Sequence, residues 1–456
     1  MNIDYQNKRV VVVGAGRSGI GLARYFRGCG ALVALSDRRS ADALESLAAL
    51  KAGGVHLDLG GHTEVLFATA DLIVLSPGVP AEIPAVAKAA SLGVPVLGEV
   101  EIAWRELAQP MAAITGTNGK STVTTVMGEA FQAWGKRTFV GGNLGTPLIE
   151  AVGGDWDWLV VELSSFQLET IERFRTRWAV LLNITEDHLD RYPDMASYQA
   201  AKSRLFENQT ADDWAVLNAD DPRVIAAAAG NPARRILFSS NGPLSEGMSL
   251  DGSALVWRWA GREQRFPAME LRISGRHNLE NIMAALIPPL VEGCPPAAAW
   301  QAATAFGGLP HRMELVAAIN GVRWYDDSKG TNVGSVVKSL AGLDAPVTLI
   351  AGGKDKHGDL APLAEPIATK VHDLILIGEA ASRMATAFNG LTAIHRVGSM
   401  AEAVATAAAV TPAGGTVLLS PGCSSFDMFK SYEERGRVFA EAVRARAEIA
   451  EGNHGS

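Results

Sequence analysis

Between Ile114 and Thr122 the chain reads Ile-Thr-Gly-Thr-Asn-Gly-Lys-Ser-Thr, two glycines followed by a lysine and two hydroxyls. That composition suits a nucleoside triphosphate. Gly116 and Gly119 let the backbone fold tightly, so that the N–H groups of Gly116, Thr117, Asn118, Gly119 and Thr122 can face phosphate oxygens at the start of a helix. Lys120 can then reach the terminal phosphates, and Ser121 can hold a magnesium ion. The run departs from the usual loop, Gly-x-x-x-x-Gly-Lys, because Ile114 stands where the first glycine belongs.

Further candidates follow other apolar runs. Glu162 ends Trp158–Leu163, beside Ser164 and Ser165, where an acid can hold magnesium near a phosphate loop. Glu186-Asp187-His188-Leu189-Asp190 is denser in ligand-capable side chains than a loop needs. A capped acidic first turn accounts for Asp187 and Asp190 but not for His188. Lys202 lies in an amphipathic run just beyond. Gly14-Ala15-Gly16-Arg17-Ser18-Gly19, with Asp37 about twenty residues on, has the context of a dinucleotide fingerprint. It equally suits another diphosphate, with Asp37 and Arg38 at a base or sugar and Ser76-Pro77-Gly78 on the same edge. Asp327 to Asn332, Lys354-Asp355-Lys356 and Ser420 to Phe426 repeat the pattern of hydroxyls and lysines after strands, and Lys329 and Lys356 suit a small polyacid.

These groups need strands to carry them. Arg9–Val13, Ala31–Ser36, Leu72–Ser76 and Pro95–Leu97 read as strands between amphipathic helices, the rhythm of a parallel sheet. The rhythm restarts at Met111 with strands at Met111–Ile114, Trp158–Leu163, Ala179–Asn183 and Ala215–Asn218, then turns to short alternating runs after Arg235 that suit an antiparallel edge. A third series follows the Gly307-Gly308-Leu309-Pro310 turn, with strands at Gly321–Tyr325, Val347–Ala351, Asp373–Ile377 and Thr416–Ser420, closed by a helix over Tyr432–Ala447. The expected fold is α/β in three domains: a Rossmann-like one over 1–98, a central one over 99–308 resembling phosphate-loop ATPases, with a parallel sheet and small antiparallel edge, and a Rossmann-like one over 309–456. A chain of 456 residues exceeds a single core, which agrees with several domains.

Bulk properties exclude some functions. A net charge of −8 argues against nonspecific nucleic-acid binding. Three scattered cysteines, Cys29, Cys294 and Cys423, indicate neither a disulfide framework nor a cysteine metal site. No apolar stretch reaches the length of a membrane span, and Met1–Arg9 has no signal character, so a cytoplasmic location is expected.

Four ordered motifs resemble the Mur ligases of bacterial peptidoglycan synthesis, over essentially the whole length. They are Thr115-Gly-Thr-Asn-Gly-Lys-Ser-Thr122, Asn183-Ile-Thr-Glu-Asp-His-Leu-Asp-Arg-Tyr192, Asp327-Ser-Lys-Gly-Thr-Asn332 and Ser420-Pro-Gly-Cys-Ser-Ser-Phe-Asp427. The shortened loop is then a family variant. The resemblance implies the glutamate-adding branch: ATP activates the carboxylate of UDP-N-acetylmuramoyl-L-alanine as an acyl phosphate, and the amine of D-glutamate attacks it. Carried over by position, Lys120, Glu162, His188 and Lys202 are catalytic. Ser121, Glu162, His188 and a carbamylated Lys202 hold two magnesium ions. Gly116 to Thr122, Asn278, Arg312 and Asp327 contact ATP, with His311 beside them. Gly14, Gly16, Ser18, Gly19, Asp37, Arg38, Ser76, Pro77 and Gly78 cradle the uridine diphosphate, and Asn143, Ser164 and Ser165 face the alanyl arm. Lys329, Thr331, Lys356, Ser425 and Phe426 form the glutamate pocket, with Lys356 preferred over Lys354 by loop spacing. Asp326 replaces the asparagine expected there. The resemblance also implies a monomer.

Other readings remain. The motif residues do not exclude L-glutamate. A folylpolyglutamate synthase would lack the N-terminal nucleotide domain, and a diamino-acid-adding ligase would carry an Asp-Asn-Pro-Arg motif that this chain lacks. An NAD-binding regulatory protein, built on the Gly14 fingerprint, and an ATP-binding scaffold without turnover are the non-enzyme alternatives.

Overall fold

The computed structural model describes residues 4–40, 47–188, 191–273, 275–355 and 358–454, with side chains described as far as 447. They form two compact units. The first comprises Met1–Ile184, Tyr198–Glu270 and Leu279–Ala305; the second comprises Thr185–Ser197, Leu271–Asn278 and Phe306–Ser456.

The first unit holds two sheets. One is parallel, built from β1 (Arg9–Val13), β2 (Leu32–Asp37), β3 (His56–Leu59), β4 (Leu72–Leu75) and β5 (Val96–Gly98) in the order β3-β2-β1-β4-β5. Val10 to Val13 are buried on both faces, which is why this strand reads as an unbroken apolar run. Strand order reverses between β1 and β4, so a crevice opens beyond their C-terminal ends, where Gly14 and Ser76 lie.

The second sheet has β6 (Met111–Thr115), β7 (Thr138–Gly142), β8 (Trp158–Glu162), β9 (Trp178–Leu181), β10 (Trp214–Asn218), β11 (Arg234–Ser239), β12 (Gly247–Asp251), β13 (Ala254–Trp259) and β14 (Arg262–Pro267). Their order is β14-β13-β12-β11-β10-β9-β6-β8-β7, with β13 antiparallel to both β12 and β14 and the other pairings parallel. The expected antiparallel edge is present. Because β6 lies between β9 and β8, the order reverses there too, and the phosphate loop leaves the sheet at that point.

Helix Glu99–Glu106 leads from the first sheet to the second and is anchored by buried acids. Glu101 accepts from the backbone N–H groups of Glu172, Arg173 and Phe174 at 2.8–3.1 Å and from Arg105 Nε at 2.8 Å. Glu99 Oε1 accepts from Ile149 N–H at 2.8 Å. Burial pushes the Glu99 carboxyl up to about 7, against the pull of the Ile149 and Leu148 N–H groups. A carboxyl raised in the folded state stabilises below its unfolded value of about 4.5, and that contribution is lost as pH rises through about 7. The loss amounts to about 3 kcal/mol. Glu99→Gln, which keeps the acceptor but cannot ionise, should therefore gain stability relative to the parent between pH 5 and pH 8 in denaturant melts. An equal difference at both pH values would contradict this.

The second unit holds the third sheet: β15 (Glu314–Ile319), β16 (Val322–Asp326), β17 (Val347–Gly352), β18 (Val371–Ile377), β19 (Ala393–Arg396) and β20 (Thr416–Leu419), ordered β15-β16-β20-β17-β18-β19. Only β15 is antiparallel, as a hairpin with β16. Alternate residues feed two cores. Leu349 and Leu374 pack with Leu340 and Phe388 on one face; Ile350 and Ile375 pack with Trp324 and Phe439 on the other.

In the amphipathic stretch between β2 and β3, Ala48–Ala52 is helical and 41–46 lie outside the described residues. The last helix is longer than predicted, Tyr432–His454 where Tyr432–Ala447 was expected. Strands β3, β7, β15 and β19 were not predicted, and each is a sheet edge. An edge strand faces solvent along one side and lacks the apolar run that marks a central one.

Candidate active site

The phosphate loop is shaped by two glycines and one asparagine. Gly119 caps helix Lys120–Ala133 with φ of 88°, where a Cβ would overlap Asn281 Oδ1. Asn183, just past β9, receives Thr117 N–H on its carbonyl at 2.9 Å and Asn118 N–H on Oδ1 at 2.8 Å, and its Nδ2 donates to Asn118 O at 3.0 Å. Lys120 Nζ donates to Gly116 O and Thr117 O at 2.9 and 2.8 Å.

At the adjacent end of β8, Glu162 is buried and used on both oxygens. Ser121 Oγ donates to Oε2 and Asn143 Nδ2 to Oε1, each at 2.6 Å. Lys202, 1% exposed, donates to Gly116 O at 2.9 Å, and its ammonium lies 4.6 Å from the Tyr198 ring centroid. Lys120 and Lys202 thus converge on one carbonyl of the loop. Ser164 instead caps a short helix, Ser165–Leu168, in a capping box with Gln167.

The Gly14 turn is equally constrained. Gly14 has φ of 96°, its carbonyl accepts from Ser76 Oγ at 2.9 Å, and the helix Arg17–Gly28 follows from Gly16. Asp37 faces inward: Oδ2 accepts from Ala15 N–H at 2.8 Å and from Arg39 Nη2 at 2.7 Å. Burial alone would raise its carboxyl, but hydrogen bonds from Arg39 and Ala15 outweigh burial and hold it well below the usual range. Its carboxylate therefore ties the glycine turn to the end of β2. Ser18 is half-buried in the first helical turn, Arg38 is exposed, and Pro77 and Gly78 form the turn after β4.

In the second unit, three loops leave the C-terminal ends of β16, β17 and β20. Asp327 is buried and accepts from Ser339 Oγ and Ser420 Oγ, both at 2.7 Å. Burial pushes its carboxyl up to about 6, opposed by these hydroxyls and by the Arg312 charge. Asn332 caps helix Val333–Ala341 and donates to Asp187 Oδ2 at 2.9 Å, so the His188 segment is joined to the Asp327–Asn332 loop. His188 itself adopts φ of 56°. Asn278 is in the first turn of helix Arg276–Glu292. A cavity of about 320 Å³ is lined by His188, Thr331, Lys338, Asp355, Arg383 and Cys423.

Ser425 is buried, whereas Phe426 is 68% exposed. The ring that meets Lys329 belongs to Tyr432, whose centroid is 3.7 Å from Nζ. Lys354 N–H donates to Ser424 O at 2.9 Å, tying the loops after β17 and β20 together; Lys356 lies outside the described residues. Sequence reading passed over Tyr432, and it gave no role to Asn183, although Asn183 opens one of the four motifs.

Three family models match successive stretches of the chain. The Mur ligase MurD-like N-terminal domain matches residues 8–98, the Mur ligase middle domain 114–288, and the Mur ligase glutamate ligase domain 311–423. A UDP-N-acetylmuramoylalanine--D-glutamate ligase from Syntrophotalea carbinolica is 62% identical over 97% of this chain and 98% of its own. One of the same name from Geotalea uraniireducens is 52% identical over 96% and 98%. The fold is shared with the UDP-N-acetylmuramate-alanine ligase of Thermotoga maritima, with a TM-score of 0.61 at 17% identity over 96% of this chain and 100% of that one. It is shared as well with the MurF ligase of Thermotoga maritima, solved in complex with ADP, with a TM-score of 0.60 at 15% identity over 97% of each chain. With three successive domain matches and relatives this similar over nearly the full length, the chain belongs to the Mur ligase family, and within it to the UDP-N-acetylmuramoylalanine--D-glutamate ligases.

Proposed function

We propose that the protein joins D-glutamate to UDP-N-acetylmuramoyl-L-alanine in an ATP-driven reaction of peptidoglycan precursor synthesis. The observation that carries this is the phosphate loop, with Lys120 at its neck and Ser121 paired to Glu162 at 2.6 Å, in a chain whose relatives catalyse that addition. An oxygen of the alanyl carboxylate attacks the γ-phosphorus and ADP leaves. The glutamate amine attacks the resulting acyl phosphate, loses a proton, and the tetrahedral intermediate expels phosphate carrying that carboxylate oxygen.

Residues 1–98 bind the uridine diphosphate through the Gly14–Gly19 turn, Arg38 and Ser76–Gly78, with Asp37 fixing the turn. Asn143 and Ser164 face the alanyl arm. Residues 99–308 hold the triphosphate on the N–H groups at the start of helix Lys120–Ala133, those of Thr117 and Asn118 being taken by Asn183, and Lys120 neutralises its terminal phosphates. Asn278, Arg312 and Asp327 complete the ATP contacts. Residues 309–456 bind glutamate through Lys329, Thr331, Lys356, Ser425 and Phe426, to which the structure leads us to add Tyr432.

The adjacent oxygens of Ser121 and Glu162 suit magnesium, a hard cation that takes oxygen ligands. An ammonium at Lys202 does not suit such a neighbour, whereas a carbamate on the same amine does. Ser121, Glu162, His188 and carbamylated Lys202 would hold two magnesium ions, whose charge, when bound, stabilises the phosphoryl group in flight. The enzyme acts as a cytoplasmic monomer on these small molecules. No helix among the described residues is long and apolar enough to cross a membrane.

The test is phosphate release with UDP-N-acetylmuramoyl-L-alanine, ATP and magnesium, comparing D-glutamate, L-glutamate and meso-diaminopimelate. Release with D-glutamate alone is expected. Release with L-glutamate alone would reverse the stereochemical assignment, and release with neither would end the proposal.

A further inference from the structure

Asp326 closes β16 with 1% of its surface exposed, and its carboxylate has two partners. Oδ2 lies 2.7 Å from His311 Nδ1, and Oδ1 accepts from Ser328 N–H at 2.8 Å. His311 is also tethered through its backbone: its N–H donates to Glu314 Oε2 at 2.9 Å, and its carbonyl accepts from Lys329 N–H at 3.0 Å. These ties hold an unusual conformation. His311 has φ of 61°, in the left-handed region that a residue with a side chain occupies when its surroundings fix it there. Helix Tyr432–His454 packs directly on the pair, because a Cβ at Gly436 would overlap both His311 Nδ1 and Asp326 Oδ2. The Tyr432 ring packs edge-on to the imidazole with centroids 6.3 Å apart.

Each member of the pair immediately precedes a residue assigned above to ATP: His311 precedes Arg312, and Asp326 precedes Asp327. We propose that Asp326 and His311 form a latch that positions Arg312 and Asp327 for ATP. The latch joins the turn after Leu309 to the end of β16 across 15 residues of chain. The Arg312 charge already acts on the Asp327 carboxyl, so a slip between the two segments would misplace both groups at once. This inference rests on the assignment of Arg312 and Asp327 to ATP.

The chemistry of the pair makes it testable. A carboxylate only accepts, so the imidazole proton facing Asp326 is on Nδ1. Asparagine at 326 could keep the Ser328 bond through Oδ1 but would then donate through Nδ2, and the neutral imidazole would have to carry its proton on Nε2. Asp326 and His311 touch no substrate in this scheme; they are positioning residues.

The experiment measures KM for ATP, KM for UDP-N-acetylmuramoyl-L-alanine and kcat for Asp326→Ala, Asp326→Asn, His311→Ala, the Asp326→Ala/His311→Ala pair and Arg312→Ala. Imidazole ¹⁵N spectra of the parent and Asp326→Asn accompany it. Asp326→Ala and His311→Ala should each raise KM for ATP about tenfold, with KM for the UDP-linked substrate changed by less than about twofold. The double variant should be no worse than either single, since one connection is lost in each case. Asp326→Asn should be milder and should move the His311 proton to Nε2; it carries the test if the alanine variant does not fold. Unchanged KM for ATP in Asp326→Ala, an equal rise for both substrates, or additive losses would overturn the latch. Normal KM for ATP in Arg312→Ala would show instead that the ATP assignment had failed, and the latch's purpose with it.

Discussion

Lys202→Ala should lower turnover on the order of a hundredfold or more, and short carboxylates such as formate or acetate should restore part of it. The side chain is 1% exposed and its amine donates to Gly116 O at 2.9 Å, so it acts inside the loop that holds the triphosphate. An ammonium beside bound magnesium would be repelled, whereas the amine that has reacted with carbon dioxide is a carbamate. The product is an anion that can ligate where the ammonium could not. Alanine removes that ligand and leaves space for a small carboxylate to stand in for it. Turnover with and without added carboxylate is the measurement. Full activity in the variant would remove Lys202 from the metal site; a loss that no carboxylate relieves would leave the amine, and not a carbamate, as the working group.

The second large effect is expected from Lys120→Met, which should reduce kcat/KM on the order of a thousandfold while the protein still binds UDP. Methionine preserves most of the apolar stem and removes the charge. Lys120 Nζ donates to Gly116 O and Thr117 O, within reach of the space the loop encloses. Phosphoryl transfer builds charge on the γ-phosphate oxygens, and a fixed cation there is worth more in the transition state than in the ground state. The loss should therefore fall on kcat as well as on KM for ATP. A rise in KM alone, with kcat preserved, would reduce Lys120 to a binding residue.

The parts of this site legible in the sequence were those whose chemistry is local. A glycine, lysine and hydroxyl in succession announce a phosphate loop, and the apolar runs of β1, β6 and β8 announce buried strands whose ends carry Gly14, Gly116 and Glu162. Pairings made across long stretches of chain were not legible. Asn183 holds the loop by bonds to a residue 65 positions away, and nothing in an asparagine after a strand signals that. His311 was read beside the ATP contacts and Asp326 as a departure from an expected asparagine, and only the structure brings them to 2.7 Å. Tyr432, which no motif marked, provides the ring over Lys329, because the chain at Tyr432 lies against the loop after β16. Asp37 was placed at the ligand from its position at the end of β2; its hydrogen bonds to Ala15 and Arg39 tie it to the glycine turn as well. Edge strands such as β3 and β19 escaped for a different reason, since a half-solvated strand needs no apolar run.

The central claim is that ATP activates the alanyl carboxylate before glutamate attacks. It is tested most directly by running the phosphate-release reaction with ¹⁸O in that carboxylate and analysing the released phosphate by mass. One labelled oxygen per phosphate is the predicted result, because the acyl phosphate passes its bridging oxygen to the leaving group. Amide product accompanied by wholly unlabelled phosphate would contradict it.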